Sequence, residues 1–282
     1  MWDEKQLNQL ADAVTLWYEK GHRSLPWRET KEPYHIWLSE IMLQQTRVEA
    51  VKGYYTRFLN QLPTIESLAN ADDELLHKLW EGLGYYSRVR NLKKAAQVIM
   101  DQFGGAFPQT HEDILKLPGI GPYTAGAIGS IAFNLKTPAV DGNVLRVMAR
   151  LGADERPVDT PAFKKEVTEA LAAVYPEHAG SFTQGLMELG ATVCGPDKAP
   201  QCEICPCKDF CKGQNIAHRL PVRLPKKERR VEEKTVHKKH IFTHIQWNMT
   251  GFYISLNAED PRFSWLPPET PALPTAFKQF LE

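Results

Sequence analysis

Leu117-Pro-Gly-Ile-Gly-Pro-Tyr-Thr-Ala-Gly-Ala-Ile128, followed by Pro138-Ala-Val-Asp-Gly-Asn143, is the most informative segment of this chain. Gly119 and Gly121 permit backbone angles that a side chain would forbid, and Pro122 suits the first position of a helix. A tight hairpin that leads into the N-terminus of a helix is an anion site. Such a hairpin could hold a nucleic-acid backbone without contacting a base, although the glycines alone fit an ordinary loop between helices equally well.

Asp141 follows an apolar run and precedes a glycine, so the sequence places this carboxylate at the start of a helix with little room around it. A solvated N-cap is the alternative explanation. The hairpin motif, followed about 20 residues later by Val140-Asp-Gly-Asn-Val144, resembles the helix-hairpin-helix DNA glycosylase superfamily. The resemblance implies that Asp141 is catalytic.

A second carboxylate lies inside an apolar segment. Residues 34–45 contain Ile36-Trp-Leu-Ser-Glu-Ile-Met42 and predict a helix that is apolar almost all round, with Glu40 in its middle. Such a carboxylate either faces the single wet side of the helix or is desolvated with a raised pKa. A general acid needs the second arrangement.

Three further segments resemble the adenine DNA glycosylases of the MutY type, a branch of that superfamily. They are Leu25-Pro-Trp-Arg28, Trp37-Leu-Ser-Glu-Ile-Met-Leu-Gln-Gln-Thr46 and Leu79-Trp-Glu-Gly-Leu-Gly-Tyr-Tyr-Ser-Arg-Val-Arg-Asn-Leu92, and the resemblance extends from residue 1 to about 225. These enzymes remove undamaged adenine that was misincorporated opposite 8-oxoguanine. The resemblance implies a mainly α fold of two helical modules, with the active-site cleft between them and an iron-sulfur cluster loop.

The same resemblance implies a role for each residue of the catalytic centre. Breaking an N-glycosidic bond through an oxocarbenium-like state suits two carboxylates in unlike environments. Glu40 would protonate adenine N7 and later activate water, while Asp141 would stabilise the sugar cation. Tyr123 and Asn143 would position these groups.

The resemblance also implies which residues surround the flipped adenine. Arg28 and Glu188 would lie around the adenine pocket, although Glu188 is equally compatible with the surface of a helix. Tyr85 would wedge beside the oxidised guanine, and Gln45 would enter the space that the adenine leaves. Tyr85 and Tyr86 follow a glycine turn that can present an aromatic ring to bases, but packing beneath the loop is equally compatible with Tyr86.

The residue after the hairpin indicates the type of glycosylase. Relatives that also cut the strand carry a lysine two residues after the second hairpin glycine, where it forms a Schiff base with the sugar; this chain has Tyr123 there. The sequence therefore predicts a monofunctional enzyme without strong lyase activity. An endonuclease III-like pyrimidine glycosylase is the alternative among enzymes, and a non-catalytic DNA-binding protein and an iron-sulfur electron carrier are alternatives of other classes.

Five cysteines lie close together after residue 193. In a cytosolic chain such a group is not a disulfide framework, and thiolates at this spacing suit a cluster or zinc. The glycosylase resemblance implies a four-iron four-sulfur (4Fe-4S) cluster, with Cys207 as the spare residue and the ligands Cys194, Cys202, Cys205 and Cys211. Seven residues separate the first two ligands where the family usually has six, and we expect the extra residue to bulge out of the loop.

Composition limits the class of protein. With 282 residues, 43% hydrophobic and 24% charged, the chain can bury a substantial core. It has neither a long apolar run nor a signal peptide, which predicts a cytoplasmic, nucleoid-associated protein of bacterial type without a membrane partner. The net charge of zero does not exclude nucleic acid, because residues 212–239 are rich in Lys and Arg. We expect a monomer that binds double-stranded DNA containing A:8-oxoG or A:G mispairs.

The expected domain order is a catalytic domain over residues 1–217 with the cluster loop at 194–211, a basic linker over 218–236 and a C-terminal remnant over 237–282. In the remnant, alternating residues from 245 onward predict a strand, and residues 274–281 predict a closing helix. Phe242, Thr243 and His244 resemble the loop with which the family recognises 8-oxoguanine. Because the family's C-terminal domain is normally much longer, we expect a short, truncated α/β domain and weaker discrimination of 8-oxoguanine from guanine.

Apolar residues at helical spacing predict the rest of the scaffold. We expect a first helix that ends near Gly21, helices over 49–59, 65–79 and 91–103, and a helix over 161–174 capped by Thr160. Strand signals are absent from this part of the chain.

Overall fold

The structure is a computed structural model that describes residues 2–196 and 200–225, together with the backbone of residues 234–242 and 245–253. It divides into two compact units, Met1–Leu224 and Pro225–Glu282. The first unit contains every helix that the structure describes and all the candidate catalytic residues. In the described part of the chain, no helix is both long and apolar enough to cross a bilayer.

The first unit is helical, as the sequence predicts. Within the described residues its α-helices are α1 (Glu4–Lys20), α2 (Pro33–Leu43), α3 (Val48–Gln61), α4 (Ile65–Asn70), α5 (Asp73–Trp80), α6 (Ser87–Phe103), α7 (His111–Leu115), α8 (Pro122–Phe133), α9 (Gly142–Leu151), α10 (Pro161–Ala172) and α11 (Ala179–Thr192). Short 3-10 helices lie at Pro26–Arg28, Cys202–Ile204, Lys208–Phe210 and Gln214–Arg219.

Local signals explain several helix ends. The Asp3 carboxylate accepts the backbone N–H of Gln6 at 2.8 Å and caps α1, which ends just before Gly21 as predicted. The Thr160 hydroxyl accepts the backbone N–H of Phe163 at 3.2 Å and caps α10. Each cap satisfies a backbone donor that has no partner inside its own helix.

The segment 65–79, predicted as one helix, forms two. α4 ends at Asn70 and α5 begins at Asp73, because the Asp72 side chain accepts the backbone N–H of Leu75 at 2.6 Å and starts a new helix. The single-helix prediction is wrong. It relied on apolar spacing, which continues across the break, whereas the break is caused by the capping bond of one side chain.

Two hydrophobic cores make up the first unit. One is built mainly by α2 to α8 and includes Trp37, Phe58 and Trp80, each at most 1% exposed. The other is built by α1 and by α9 to α11, and includes Leu10 and Phe163. The N-terminal helix therefore joins the C-terminal module, where it packs against α11. The predicted pair of helical modules is confirmed.

Only one of the two hairpin glycines has a backbone conformation that favours glycine. Gly119 has φ +79°, and a Cβ there would lie 2.7 Å from the Cβ of Asn91. Gly121 has φ −99° and ψ 176°, an extended conformation that any residue adopts, and a Cβ there would meet nothing within 4 Å. The prediction that both glycines supply forbidden angles is therefore wrong for Gly121. This residue instead lies directly before α8, whose first residue is Pro122 as predicted.

The first unit extends past residue 217, the predicted end of the catalytic domain. The Nε of Arg150 donates to the carbonyl oxygens of Ala217 and Leu220, both at 2.9 Å. The backbone N–H of Val158 donates to the carbonyl oxygen of Val222 at 3.0 Å. These bonds tie residues 218–224 to α9 and to the segment before α10, so this stretch belongs to the folded unit rather than to a linker.

The second unit contains an antiparallel β-hairpin in its described part. β1 (Lys234–Phe242) pairs with β2 (Ile245–Tyr253), with Lys234 opposite Tyr253 and Phe242 opposite Ile245. The second strand lies where the alternating pattern predicts one, whereas the first begins inside the predicted linker. The helix predicted over 274–281 lies outside the described residues.

Candidate active site

A cleft opens between the two cores of the first unit. Glu40 on α2 and Tyr123 on α8 line it from one module, and Asp141 and Asn143 at the start of α9 line it from the other. Arg28, from the 3-10 helix before α2, also lines the cleft. The structure thus brings five of the predicted site residues together from four separate segments of the chain.

Glu40 is desolvated in this cleft. It is 6% exposed, and the Tyr123 hydroxyl donates a hydrogen bond to its Oε2 at 2.8 Å. Burial raises the pKa of Glu40 to about 7; the Tyr123 hydrogen bond and the Arg28 charge oppose this rise, and the Asp141 charge adds to it. Of the two arrangements that the sequence allows, the structure has the one that suits a general acid.

Tyr123 is the donor of this pair. Burial, together with the nearby carboxylates of Glu40 and Asp141, raises the pKa of Tyr123 well above its usual value. The hydroxyl therefore keeps its proton at neutral pH and donates a hydrogen bond to Glu40. This bond holds the Glu40 side chain in one orientation toward the cleft.

Asp141 is the N-cap of α9. Its Oδ1 accepts the backbone N–H groups of Asn143 and Val144 at 2.9 and 2.8 Å, and its Oδ2 accepts the side-chain amide of Asn143 at 2.7 Å. Burial raises the pKa of Asp141, and these three hydrogen bonds and the charge of Arg146 oppose the rise. The predicted carboxylate at a helix start is confirmed.

The two carboxyl groups therefore have different environments. Glu40 receives one hydrogen bond from a hydroxyl, whereas Asp141 receives three from N–H groups at the positive end of a helix. Hydrogen bonds from N–H groups favour the ionised form of a carboxyl group. The arrangement suits a proton donor at Glu40 and an anion at Asp141.

Hydrogen bonds continue from Asp141 to the cysteine loop through Asn143. The Oδ1 of Asn143 accepts from Nη2 of Arg146 at 2.7 Å, and Nε of Arg146 donates to the carbonyl oxygen of Cys194 at 2.8 Å. Helix α11 lies so close that a Cβ at Gly190 would be 2.6 Å from the Cβ of Asn143. Asn143 of α9 is thereby held against α11, with its amide directed at Asp141.

Glu188 is not among the residues that line the cleft. Its buried carboxylate forms ion pairs with Arg23 at 2.6 Å and with Arg28 at 2.9 Å. Burial alone would raise the pKa of Glu188, but the hydrogen bonds and charges of Arg23 and Arg28 lower it to about 2. Glu188 acts on the cleft indirectly, because it holds the Arg28 side chain that lines it.

Gln45 and Tyr85 both have left-handed backbones. Gln45 has φ +60° just after α2, and Tyr85 has φ +47° in the turn between α5 and α6. Tyr85 is 64% exposed, whereas Tyr86 is 38% exposed and packs edge-on against His77. Residues other than glycine rarely adopt this conformation, and such strained positions cluster at functional sites.

Four of the five cysteines border one small cavity beside α9. They are Cys194, Cys202, Cys205 and Cys211. Cys207 instead packs in the second core. In the described part of the chain, no group of three or more candidate ligand side chains is placed to hold a metal ion. The expected bulge lies partly in residues 197–199, outside the described residues.

The candidate lesion contacts lie in the second unit. Phe242 is the last residue of β1, and only its backbone is described. Thr243 and His244 lie outside the described residues. Their roles stay predictions.

Three arginines have contacts that the sequence did not reveal. Arg146 and Arg150 are each 4% exposed, and they lie four residues apart inside an otherwise apolar helix. Charged residues inside an apolar helix are a usable signal, because a buried charge requires partners. Arg23 offers no such signal, since its partner Glu188 is 165 positions away.

The fold recurs in known proteins. A family model described as the HhH-GPD superfamily of base excision DNA repair proteins matches residues 38–176. The adenine DNA glycosylase of Buchnera aphidicola subsp. Schizaphis graminum is 36% identical over 245 residues, covering 86% of this chain and 69% of that protein. This chain belongs to the HhH-GPD superfamily.

Two further comparisons show how far the likeness extends. The adenine DNA glycosylase of Mus musculus is 44% identical over 215 residues, which cover 72% of this HhH-GPD chain and 41% of the mouse protein. The chain thus spans about two fifths of that relative's length. A solved structure described as a thermostable thymine-DNA glycosylase aligns with a TM-score of 0.67 at 29% identity, covering 75% of this chain and 97% of that one. Glu40, Tyr123 and Asp141 all lie inside the HhH-GPD match.

Proposed function

We propose that this protein is a monofunctional adenine DNA glycosylase that removes adenine mispaired with 8-oxoguanine or guanine. The observation that carries the proposal is the pair of unlike carboxyl groups in one cleft: a desolvated Glu40 with its pKa raised to about 7, and an Asp141 held by three N–H donors. The names of the relatives support adenine as the base. The pairing suits hydrolysis of an N-glycosidic bond.

Excision begins when the adenine leaves the base stack. Unpairing and unstacking cost a few kcal/mol, which exposed side chains at the protein surface can offset by filling the vacated space. Tyr85 and Gln45 lie on exposed turns suited to this task. The flipped base then enters the cleft, where Arg28 is held in place by Glu188.

Glu40 then acts as the acid. Its carboxyl proton passes to adenine N7, the N-glycosidic bond breaks, and the bonding electrons leave with the base. Asp141 stabilises the positive charge that develops on the sugar. The ionised Glu40 takes a proton from water as the water oxygen bonds to the sugar carbon. The products are adenine and an abasic site.

The hairpin supports binding of the DNA backbone. The first N–H groups of a helix have no partners within the helix and carry a partial positive charge, so they bind phosphate oxygens. The extended Gly121 leaves space directly before α8, since a Cβ there would meet no atom within 4 Å. These contacts fix the position of the protein on double-stranded DNA without selecting a sequence.

The cysteine loop supports a resident 4Fe-4S cluster. Cys194, Cys202, Cys205 and Cys211 would hold it, because these four thiols border the cavity and iron-sulfur clusters take cysteine thiolates as ligands. When bound, the cluster supplies a rigid crosslink for the loop. The chain's own contribution is made by Arg146 and Arg150, which hold the carbonyl oxygen of Cys194.

A single-turnover assay tests the proposed reaction. Duplexes with adenine opposite 8-oxoguanine, guanine or thymine are incubated with the wild type and with Glu40→Gln, and strand breaks are measured with and without alkali. We expect breaks at mispaired adenine only, only after alkali, and at least about 100-fold slower in the variant. Release of pyrimidines instead of adenine would favour the endonuclease III-like alternative.

Borohydride trapping tests the monofunctional assignment. Tyr123 offers no amine for a Schiff base, so we expect no substantial covalent adduct with DNA. A Tyr123→Lys variant is the matched comparison. Strong trapping of the wild type would contradict the assignment.

Iron and sulfide content test the cluster. We expect Cys202→Ser to lose both, because it removes a thiol that borders the cavity, and Cys207→Ser to keep both. Equal loss in the two variants, or bound zinc in the wild type, would contradict this ligand set.

A further inference from the structure

Arg88 connects the two turns that carry Gln45 and Tyr85. Its Nη1 donates hydrogen bonds to three carbonyl oxygens at the end of α2, and its Nη2 donates to two carbonyl oxygens in the turn before α6. These oxygens belong to Ile41, Met42, Gln44, Leu83 and Gly84, at 2.7, 3.2, 2.8, 3.0 and 3.2 Å respectively. One side chain therefore bonds to both turns.

These bonds lie directly beside the residues that we expect to enter the duplex. Gln44 precedes Gln45 and Gly84 precedes Tyr85, and both following residues have left-handed backbones. The guanidinium of Arg88 also lies 5.8 Å from the centroid of the Tyr85 ring. Arg88 thus contacts the backbone of both turns and the ring of one.

The chemistry of arginine suits this position. The last carbonyl groups of α2 have no partners within the helix, and a positive charge is favourable at a helix C-terminus. The planar guanidinium has N–H groups that point in several fixed directions, so it can bond to two turns at once. A lysine has a single nitrogen and cannot reproduce this geometry.

We propose that Arg88 is a positioning residue for base opening: it sets the separation of the two turns so that Gln45 and Tyr85 enter the DNA together. This inference rests on the proposed function and adds a residue to its opening step. The described contacts of Arg88 include neither Glu40 nor Asp141. Losing Arg88 should therefore slow opening of the base pair rather than cleavage of the glycosidic bond.

The test compares Arg88→Gln and Arg88→Lys with Arg90→Gln. Arg90 is exposed on the same helix, so its variant removes the same charge without breaking the bonds to the turns. Single-turnover excision is measured on an A:G mispair and on a duplex whose adenine faces an abasic-site analogue and needs no unpairing. Fluorescence of 2-aminopurine placed beside the target reports opening independently of bond cleavage.

We expect Arg88→Gln to slow excision from the A:G mispair by about 10- to 100-fold and to delay the fluorescence rise. Excision of the unpaired adenine should change by no more than about twofold. Arg88→Lys should not restore the rate, and Arg90→Gln should affect the two substrates equally. An equal loss on both substrates in Arg88→Gln, or an unchanged rate, would overturn the inference.

A double-mutant cycle keeps the inference testable if Arg88→Gln also lowers stability. In a chain carrying Gln45→Ala and Tyr85→Ser, adding Arg88→Gln should cost little further rate, because there is nothing left to position. Full additivity would overturn the inference. A wild type that excises no adenine would refute the proposed function instead, and the fluorescence assay would still decide the role of Arg88.

Discussion

Glu40 lies close to the midpoint of its titration at neutral pH, which makes its role visible in a pH profile. Because burial raises its pKa to about 7, the proton that it donates is lost as the pH rises through that value. The single-turnover rate on an A:G duplex, measured from about pH 5 to 9, should fall on the alkaline side. Tyr123→Phe removes a hydrogen bond that lowers this pKa, so the excision rate of this variant should fall at a higher pH than the rate of the wild type. A flat or rising profile would contradict Glu40 as the acid.

The same carboxyl group makes stability depend on pH. Its folded-state pKa of about 7 exceeds its usual value of 4.5, so the folded protein binds more protons than the unfolded chain between these values. The contribution of Glu40 to stability is therefore most favourable below about pH 4.5 and is lost as the pH rises through about 7. As the pH rises from about 5 to about 8, the free energy of unfolding of Glu40→Gln should increase by up to about 3 kcal/mol relative to that of the wild type. Urea unfolding at both pH values measures this, and a pH-independent difference would count against it.

At the level of secondary structure, Asp141 has two roles: it caps α9, and we propose that it stabilises the charge on the sugar. Two substitutions separate these roles. Asparagine is as good an N-cap as aspartate, so Asp141→Asn should unfold with a free energy within about 1 kcal/mol of wild type while losing excision. Asp141→Ala should lose excision and also about 1 kcal/mol of stability, because the Asn143 and Val144 N–H groups lose their acceptor. Chemical denaturation with the excision assay checks both. An active Asp141→Asn would sink the catalytic assignment.

The hairpin before α8 offers a second matched pair. Gly119→Ala should destabilise the protein by about 1–2 kcal/mol, because it puts a side chain at φ +79° and against Asn91. Gly121→Ala should leave stability within about 0.5 kcal/mol but weaken binding to an uncleavable duplex, because its Cβ occupies the space open to the DNA backbone. Thermal unfolding and equilibrium DNA binding measure the two effects. Equal destabilisation by both substitutions would contradict the geometry of the hairpin.

At the scale of the whole molecule, the division into two units predicts where catalysis and lesion recognition reside. All the candidate catalytic residues lie in Met1–Leu224, so a variant that ends at residue 224 should excise adenine opposite guanine within about twofold of the full chain. If Phe242, Thr243 and His244 contact 8-oxoguanine, this variant should also lose any preference for A:8-oxoG over A:G. Single-turnover rates on the two duplexes give the ratio. An unchanged preference would place lesion recognition in the first unit.

Features that depend on neighbouring residues could be predicted from the sequence. The helix-start carboxylate at Asp141, the cap at Thr160 and the end of α1 before Gly21 all rest on signals a few residues long. The pair of helical modules was predicted from the resemblance of the motifs to the glycosylase family. The break between α4 and α5 shows the limit of such signals, because a single capping side chain at Asp72 overrides a continuous apolar period.

Capping, glycine conformation and apolar spacing are local properties, so the order of amino acids predicts most of the helices of the first unit. The behaviour of the charged groups follows instead from which residues the fold brings into contact. Whether Glu40 is solvated or buried depends on α8 packing across α2, and Glu188 is ionised because Arg23, 165 positions away, contacts it. Arg88 likewise bonds to the end of a helix 47 positions earlier. Desolvation and ion pairing act through space, so they follow from the fold and not from the order of residues.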